Sequence, residues 1–171
     1  MATTSYRKHT VAKVFDYICN NETPWVAIGN FLNYWWAYAV DHRRELVEAP
    51  LAPAPTLETQ RWAAFCAAMV EWLCWGANLP PPAWTNQECY ILPEPWYFHE
   101  QWSSRSNLLA RTPAPFQMRN IFGGDRMFLH KWDMAKQMQQ KGQYFLLEAS
   151  TDPSKQAQHL PGNFQSNNSS G

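Results

Sequence analysis

The chain has few charged residues and no long apolar run. Charged residues make up 16% of the sequence, and acids and bases balance at 14 each, whereas soluble domains usually carry about a quarter. The longest apolar stretch, 62–75, is interrupted by Glu71 and is shorter than the roughly 20 residues of a membrane-spanning helix. Residues 1–5 lack the apolar segment of a signal peptide. These absences predict a soluble cytoplasmic protein.

Catalytic and metal-binding signatures are missing as well. The sequence contains no Gly-x-Ser-x-Gly, no phosphate-binding loop of the Walker type and no His-Glu-x-x-His. Its four cysteines, Cys19, Cys66, Cys74 and Cys89, form no close pair, so they are interpreted as reduced thiols rather than zinc ligands. Cys89 and His99 offer a thiolate and a base in principle, a spacing that is common by chance. The sequence therefore favours a protein without catalysis, cofactor or metal.

Tryptophan and proline are abundant instead. Ten tryptophans and thirteen prolines occur in the chain, and two proline-bounded units, 79–84 and 92–98, each end in aromatic residues. Proline fixes φ and removes a hydrogen-bond donor, so each unit presents rings from an irregular segment. Both Trp84 and Trp96 are candidate partner contacts. Trp84 follows a long helix, which favours a core position, and Trp96, next to Tyr97, is predicted to lie on the surface.

Apolar residues at helical spacing and capping residues predict an all-α fold. The longest predicted helix starts after Thr56, is apolar on more than one face, and should form the core together with the helix before it. The predicted helices cover residues 10–20, 24 to about 42–45, 57 to about 76–78, about 98–111 and 125 to about 140. We expect a single domain of four to six helices over 1–141, a Trp/Pro-rich irregular segment, and a disordered, flexible tail over 142–171.

Charge is distributed unevenly along the chain. Residues 45–100 contain seven acids and one arginine, whereas residues 101–141 contain seven cations and two acids. The basic segment either forms a binding face or neutralises the acidic segment. Within it, Gly123 and Gly124 precede Asp125, an arrangement that can leave backbone N–H groups free for an anion. Arg119 and Arg126 add guanidinium groups suited to phosphate or carboxylate. Alternatively, such an arginine pairs with an acid from the middle segment.

Three short motifs keep an order that resembles a group of uncharacterised bacterial proteins. They are Pro-Ala-Trp at 82–84, Glu-Pro-Trp-Tyr at 94–97 and Arg-Asn-Ile-Phe at 119–122, and the resemblance covers roughly residues 60–130. Some members of the group are encoded beside nucleotidyltransferase-type toxins. The resemblance implies a small helical protein that is antitoxin-like or regulatory, without an established activity.

The sequence thus predicts a non-catalytic cytosolic interaction protein that binds a partner protein or a second copy of itself. Aromatic residues and arginine are enriched where partners bind most tightly. The predicted partner-binding residues are Trp84, Trp96, Tyr97, Arg105, Arg119, Asn120 and Arg126. A first alternative is a phosphate- or nucleotide-binding enzyme domain that uses Arg105, Arg119, Asn120 and Arg126. A second is a nucleic-acid-binding regulator, although the second helix carries Trp35 and Trp36 where a recognition helix needs polar and basic residues.

Overall fold

The computed structural model describes residues 9–98 and 103–127. In these two ranges the chain forms six α-helices, three short 3-10 helices and two short strands. The α-helices are α1 (Val11–Cys19), α2 (Pro24–Ala37), α3 (Arg43–Val47), α4 (Leu57–Gly76), α5 (Arg105–Arg111) and α6 (Ala114–Gln117). The strands are β1 (Trp96–Tyr97) and β2 (Ile121–Phe122), and the 3-10 helices are Val40–His42, Ala83–Asn86 and Glu88–Tyr90.

Helix α4 is the centre of the fold, as its sequence predicted. Thr56 begins it with a capping box, because its Oγ1 accepts the Thr59 N–H at 3.1 Å and Thr59 Oγ1 accepts the Thr56 N–H at 2.9 Å. Every side chain from Trp62 to Glu71 is buried. Helices α1 and α6 and the 3-10 helices Ala83–Asn86 and Glu88–Tyr90 pack against α4. The Trp/Pro segment therefore covers the central helix.

Helix α1 confirms the predicted amphipathic helix near the N-terminus. Thr10 caps it by accepting the Lys13 N–H at 3.3 Å. The buried side chains of α1, all on one helical face, are Val11, Val14, Phe15 and Ile18. This face contacts both α2 and α4, so α1 is fixed by the apolar surface that its spacing predicts.

Helix α2 ends earlier than predicted, and a 3-10 helix separates it from α3. The N–H groups of Tyr38 and Ala39 both bond to the Tyr34 carbonyl, which ends α2 at Ala37. Arg43 folds back so that its Nε donates to the Trp35 carbonyl at 3.1 Å. The break allows α3 to bury Leu46 and Val47 in the core, and this apolar burial outweighs the continuation of a regular helix.

The predicted all-α fold is confirmed in part, since the chain is mostly helical but also has a small sheet, and the helix predicted over about 98–111 starts later. Residues 96–97 form β1 and pair in parallel with β2, and the Trp96 N–H donates to the Asn120 carbonyl at 2.8 Å. Helix α5 begins only at Arg105, after the Ser104 cap. The fold is mostly helical with a small two-stranded sheet. A strand of two residues is too short to show the alternation of apolar and polar residues by which a strand is predicted from sequence.

The C-terminal predictions lie largely outside the described residues. Residues 125–127 form a turn, and the remainder of the predicted helix to about 140 and the tail over 142–171 fall beyond them. Among the described residues, no helix is both long enough and apolar enough to cross a membrane.

Candidate functional site

The first candidate surface is formed by Trp25, Arg61, Trp62 and Trp96, here called the tryptophan surface. The ring of Trp62 meets Trp25 edge to face at 5.4 Å and Trp96 at 5.1 Å between centroids. The Arg61 guanidinium lies 5.9 Å from the Trp96 ring centroid. Trp62 is buried, whereas Trp25 is 40% exposed and Trp96 is half-buried. The buried ring of Trp62 therefore contacts the two accessible rings, those of Trp25 and Trp96.

A second layer of aromatic side chains supports this surface from the core. Phe65 on α4 contacts Trp25 at 5.6 Å and Trp62 at 5.4 Å between centroids. Phe65 in turn contacts Phe98 at 5.9 Å and Phe116 at 5.2 Å. Offset and edge-to-face pairs of this kind add to the stability that apolar burial provides. Because each ring is fixed by its neighbours, the tryptophan surface has a defined shape before any partner binds.

The two proline-bounded tryptophans occupy different environments. Trp84 is buried, its Nε1 donates to the Val47 carbonyl at 2.9 Å, and its ring packs on Tyr90 at 5.5 Å. Trp96 stands at the boundary between core and solvent as part of the tryptophan surface. Trp84 therefore belongs to the core, and Trp96 is the one of the two that a partner can reach in this structure.

Tyr97 and Arg105 form a separate pair on the opposite side of β1. Successive side chains of a strand point to opposite faces, and Tyr97 accordingly stacks on Phe122, with ring centroids 5.0 Å apart. The Arg105 guanidinium lies 4.5 Å from the Tyr97 centroid, a favourable cation–π arrangement. Both predicted residues are thus brought together, away from the tryptophan surface.

Arg119 is a structural residue in this fold. It is only 4% exposed, and its Nη1 lies 2.7 Å from Glu71 Oε2 on α4. Nη1 also donates to the Pro115 carbonyl at 2.8 Å, and Nη2 donates to the Thr85 carbonyl at 2.7 Å. The alternative of pairing with an acid from the middle segment is the one found, and a partner or anion cannot reach Arg119 here.

Asn120 also shapes the fold. It adopts a left-handed backbone conformation with φ of 60°, which asparagine tolerates better than most residues. Its Nδ2 donates to the Leu92 carbonyl at 2.6 Å, and its own carbonyl accepts the Trp96 N–H. Asn120 therefore turns the chain from α6 into β2 and aligns that strand with β1.

The second candidate site is a cavity of about 610 Å³ beside α5, here called the arginine cleft. Its lining residues are Ser103, Asn107, Leu108, Arg111, Gly123, Gly124, Asp125 and Arg126. Asn107 and Arg111 lie one turn apart on the same face of α5. Arg111 and Arg126 are exposed, and among the described residues no acid forms a salt bridge with either. The predicted residue Arg126 thus joins Arg111, which sequence reasoning missed.

One of the two glycine N–H groups of the predicted anion site already has a partner within the fold. The Gly124 N–H donates to Thr112 Oγ1 at 2.9 Å, and that hydroxyl donates to the Leu108 carbonyl. Gly124 has φ of 79°, and a Cβ at Gly123 would overlap the ring of Phe98. Backbone conformation and close packing therefore explain why both positions are glycine, and the Gly124 N–H is not available to an anion.

The two buried cysteines of α4, Cys66 and Cys74, are not activated. Burial raises the pKa of the Cys66 thiol to about 12 and that of Cys74 to about 11, with smaller contributions from Cys19 and Glu71 respectively. A raised pKa disfavours the thiolate, which is the nucleophile and the metal ligand. Within the described ranges, no three His, Cys, Asp or Glu side chains are grouped so that they could hold a metal ion.

Sequence reasoning missed Trp25, Arg61 and Arg111. Arg61 had a signal, since it is the single basic residue of the acidic segment 45–100, but Trp25 and Arg111 had none that pointed to a site. Comparison with protein-family models, curated proteins and solved structures found no match for this chain. The resemblance to the bacterial group with ordered tryptophan motifs stays a prediction.

Proposed function

We propose that this protein is a non-catalytic interaction protein that binds a partner protein through the tryptophan surface. The observation that carries the proposal is the arrangement of Trp25 and Trp96, two accessible rings fixed on the buried ring of Trp62 with the Arg61 guanidinium beside them. In line with the sequence motifs, the partner is a co-encoded protein, for which this chain is an antitoxin-like or regulatory subunit.

Residue type and rigidity both support this role. Tryptophan and arginine dominate the binding energy of protein interfaces, and surface rings that are already immobilised lose little side-chain entropy when a partner binds. Scattered exposed apolar residues are ordinary on proteins. The tryptophan surface differs because its two accessible rings are connected through shared ring contacts and adjoin a guanidinium.

The wider surface agrees with a protein that is covered by a partner. Charged residues are scarce throughout the chain, and several large apolar side chains of the described residues are solvent-exposed. The most exposed are Tyr38, Met118, Leu57, Val40 and Val26. Apolar exposure of this extent, when contiguous, marks interaction sites.

Alanine variants of matched tryptophans test the proposal. Trp25→Ala and Trp75→Ala each remove one ring of similar exposure, 40% and 49%, but among the described residues no aromatic ring contacts Trp75. Tagged variants are expressed in the native host, captured proteins are quantified by mass spectrometry, and the candidate partner is then purified and titrated against each variant. We expect Trp25→Ala to weaken binding of the purified partner by at least about tenfold and Trp75→Ala to leave it unchanged.

The same pair of variants separates binding from folding. Both should retain a cooperative thermal transition, since each side chain is substantially exposed. A partner that binds wild type, Trp25→Ala and Trp75→Ala equally would contradict the tryptophan surface as the binding site.

The antitoxin-like role has its own test. The protein encoded beside this chain should arrest growth when it is expressed alone, and co-expression of the wild-type chain should restore growth while Trp25→Ala should not. Growth arrest that the wild-type chain fails to relieve would exclude neutralisation and leave the regulatory form of the proposal.

A further inference from the structure

We infer that the arginine cleft binds a small organic phosphate that also carries hydroxyl groups, as a sugar phosphate or a nucleotide does. This site is separate from the tryptophan surface in its residues and chemistry, and it requires no catalytic step.

The first reason is the positive charge of two arginines that no carboxylate of the described residues contacts. Arg111 and Arg126 line one cavity, and the described residues provide no carboxylate in salt-bridge contact with either guanidinium. In contrast, Arg119 is paired with Glu71. Two like charges that share a cavity repel each other, and an anion between them relieves that repulsion. Guanidinium groups bind phosphate through two parallel, charge-assisted hydrogen bonds.

The uncharged and acidic lining residues narrow the ligand class. Ser103 and Asn107 offer neutral donors that suit phosphate or hydroxyl oxygens. Asp125 accepts hydrogen bonds only, so it opposes a bare anion but favours a ligand hydroxyl. The combination of two guanidinium groups and one carboxylate therefore matches a ligand with an anionic end and a hydroxyl-bearing end.

The volume and the rigidity of the arginine cleft also favour a small organic phosphate as ligand. The cavity of about 610 Å³ falls in the range of about 300–1,000 Å³ typical of sites for small organic ligands, so an inorganic phosphate would leave most of it empty. Thr112 ties the Gly124 N–H to the end of α5, and Leu108 supplies apolar surface. The side that carries Arg111 is thus fixed relative to the glycine pair.

Calorimetric titration of the full chain at low salt tests the inference with four probes: ribose 5-phosphate, adenosine monophosphate, inorganic phosphate and adenosine. We expect the two organic phosphates to bind more tightly than inorganic phosphate, and adenosine not to bind. Arg111→Gln and Arg126→Gln should each weaken binding of the organic phosphates by about tenfold or more. Arg44→Gln, which removes an exposed arginine of α3 outside the cleft, should change it less than twofold.

Asp125→Asn tests the role of the carboxylate in ligand selectivity. Removing the carboxylate should strengthen binding of inorganic phosphate, because a like charge is lost, and should lower the preference for ribose 5-phosphate over inorganic phosphate. No binding of any phosphate at millimolar concentration would overturn the inference. So would equal affinity for inorganic and organic phosphate, or equal weakening by Arg44→Gln, which would indicate attraction to net charge alone.

Phosphate binding at the arginine cleft and partner binding at the tryptophan surface can be tested independently. Trp25→Ala leaves every lining residue of the arginine cleft in place, so it should bind ribose 5-phosphate as the wild type does. Loss of phosphate binding in Trp25→Ala without loss of folding would contradict the separation of the two sites.

Discussion

Arg119 and Glu71 form an ion pair inside the fold, with 2.7 Å between Arg119 Nη1 and Glu71 Oε2 and both side chains at least nine-tenths buried. The contact is an ion pair rather than a well-directed hydrogen bond, because within the described residues Glu71 Oε2 accepts no hydrogen bond of suitable angle. Arg119 also donates to the carbonyls of Thr85 and Pro115. One side chain thus joins the central helix, the Trp/Pro segment and α6.

Removing the arginine alone should be severely destabilising. Arg119→Met leaves the Glu71 carboxylate buried without its cation, and breaking a buried ion pair in this way typically costs about 3–5 kcal/mol. The free energy of unfolding from urea titration measures the loss. The double variant Arg119→Met with Glu71→Met should be more stable than Arg119→Met, because no buried charge is left unpaired. A double variant that is less stable than the single one would contradict this account.

Trp84 should contribute to stability far more than an exposed tryptophan does. Trp84→Ala removes a buried ring and its hydrogen bond to the Val47 carbonyl, at an expected cost of about 3–5 kcal/mol. Trp75→Ala, at an exposed position of α4, should change stability by less than about 0.5 kcal/mol. Urea unfolding of the two variants measures the difference. Equal stability of the two would show that Trp84 does not anchor the Trp/Pro segment.

Stability should fall at alkaline pH because two thiols are buried in the neutral form. The pKa of Cys66 is raised to about 12 and that of Cys74 to about 11, from an ordinary value of 9.0. Below pH 9 both thiols are neutral in the folded and the unfolded chain, so their contribution is fully present. Between pH 9 and the folded-state pKa of each thiol the unfolded chain ionises first, and the free energy of unfolding falls by up to about 1.4 kcal/mol per pH unit for each thiol.

Urea titrations on either side of pH 9 measure this slope. Cys66→Ala and Cys74→Ala should each reduce it by the contribution of one thiol, and the double variant should remove both contributions. A double variant with the slope of the wild type would show that other groups cause the alkaline loss.

Two glycines should respond to alanine with opposite signs. A Cβ at Gly123 would overlap Phe98 and Met127, whereas a Cβ at Gly29 on α2 meets no atom within 4 Å. Gly123→Ala should lower the melting temperature, because packed neighbours must move. Gly29→Ala should raise stability by up to about 1 kcal/mol, because alanine is the better helix former. Thermal unfolding of both variants checks the signs, and a destabilised Gly29→Ala would reveal a contact that the structure lacks.

The sequence was sufficient for those elements whose signal is local. Thr10 and Thr56 as caps, the apolar face of α1 and the buried centre of α4 follow from helical spacing and capping chemistry, and the structure has all of them. Trp84 in the core followed from its position directly after α4. In each case the residues that determine the outcome lie within a few turns of one another.

Contacts between segments that are distant in the sequence determined the features that could not be predicted. The role of Arg119 depends on Glu71, and the parallel pairing of Trp96 with Ile121 joins segments that no periodicity connects. Composition made tryptophan and arginine candidates for partner binding, but only the tertiary structure decided which of them reach solvent. The physical reason is that the residues next to such a side chain in the sequence do not determine its environment. Its burial, charge partner and accessibility depend on the distant segment that packs against it.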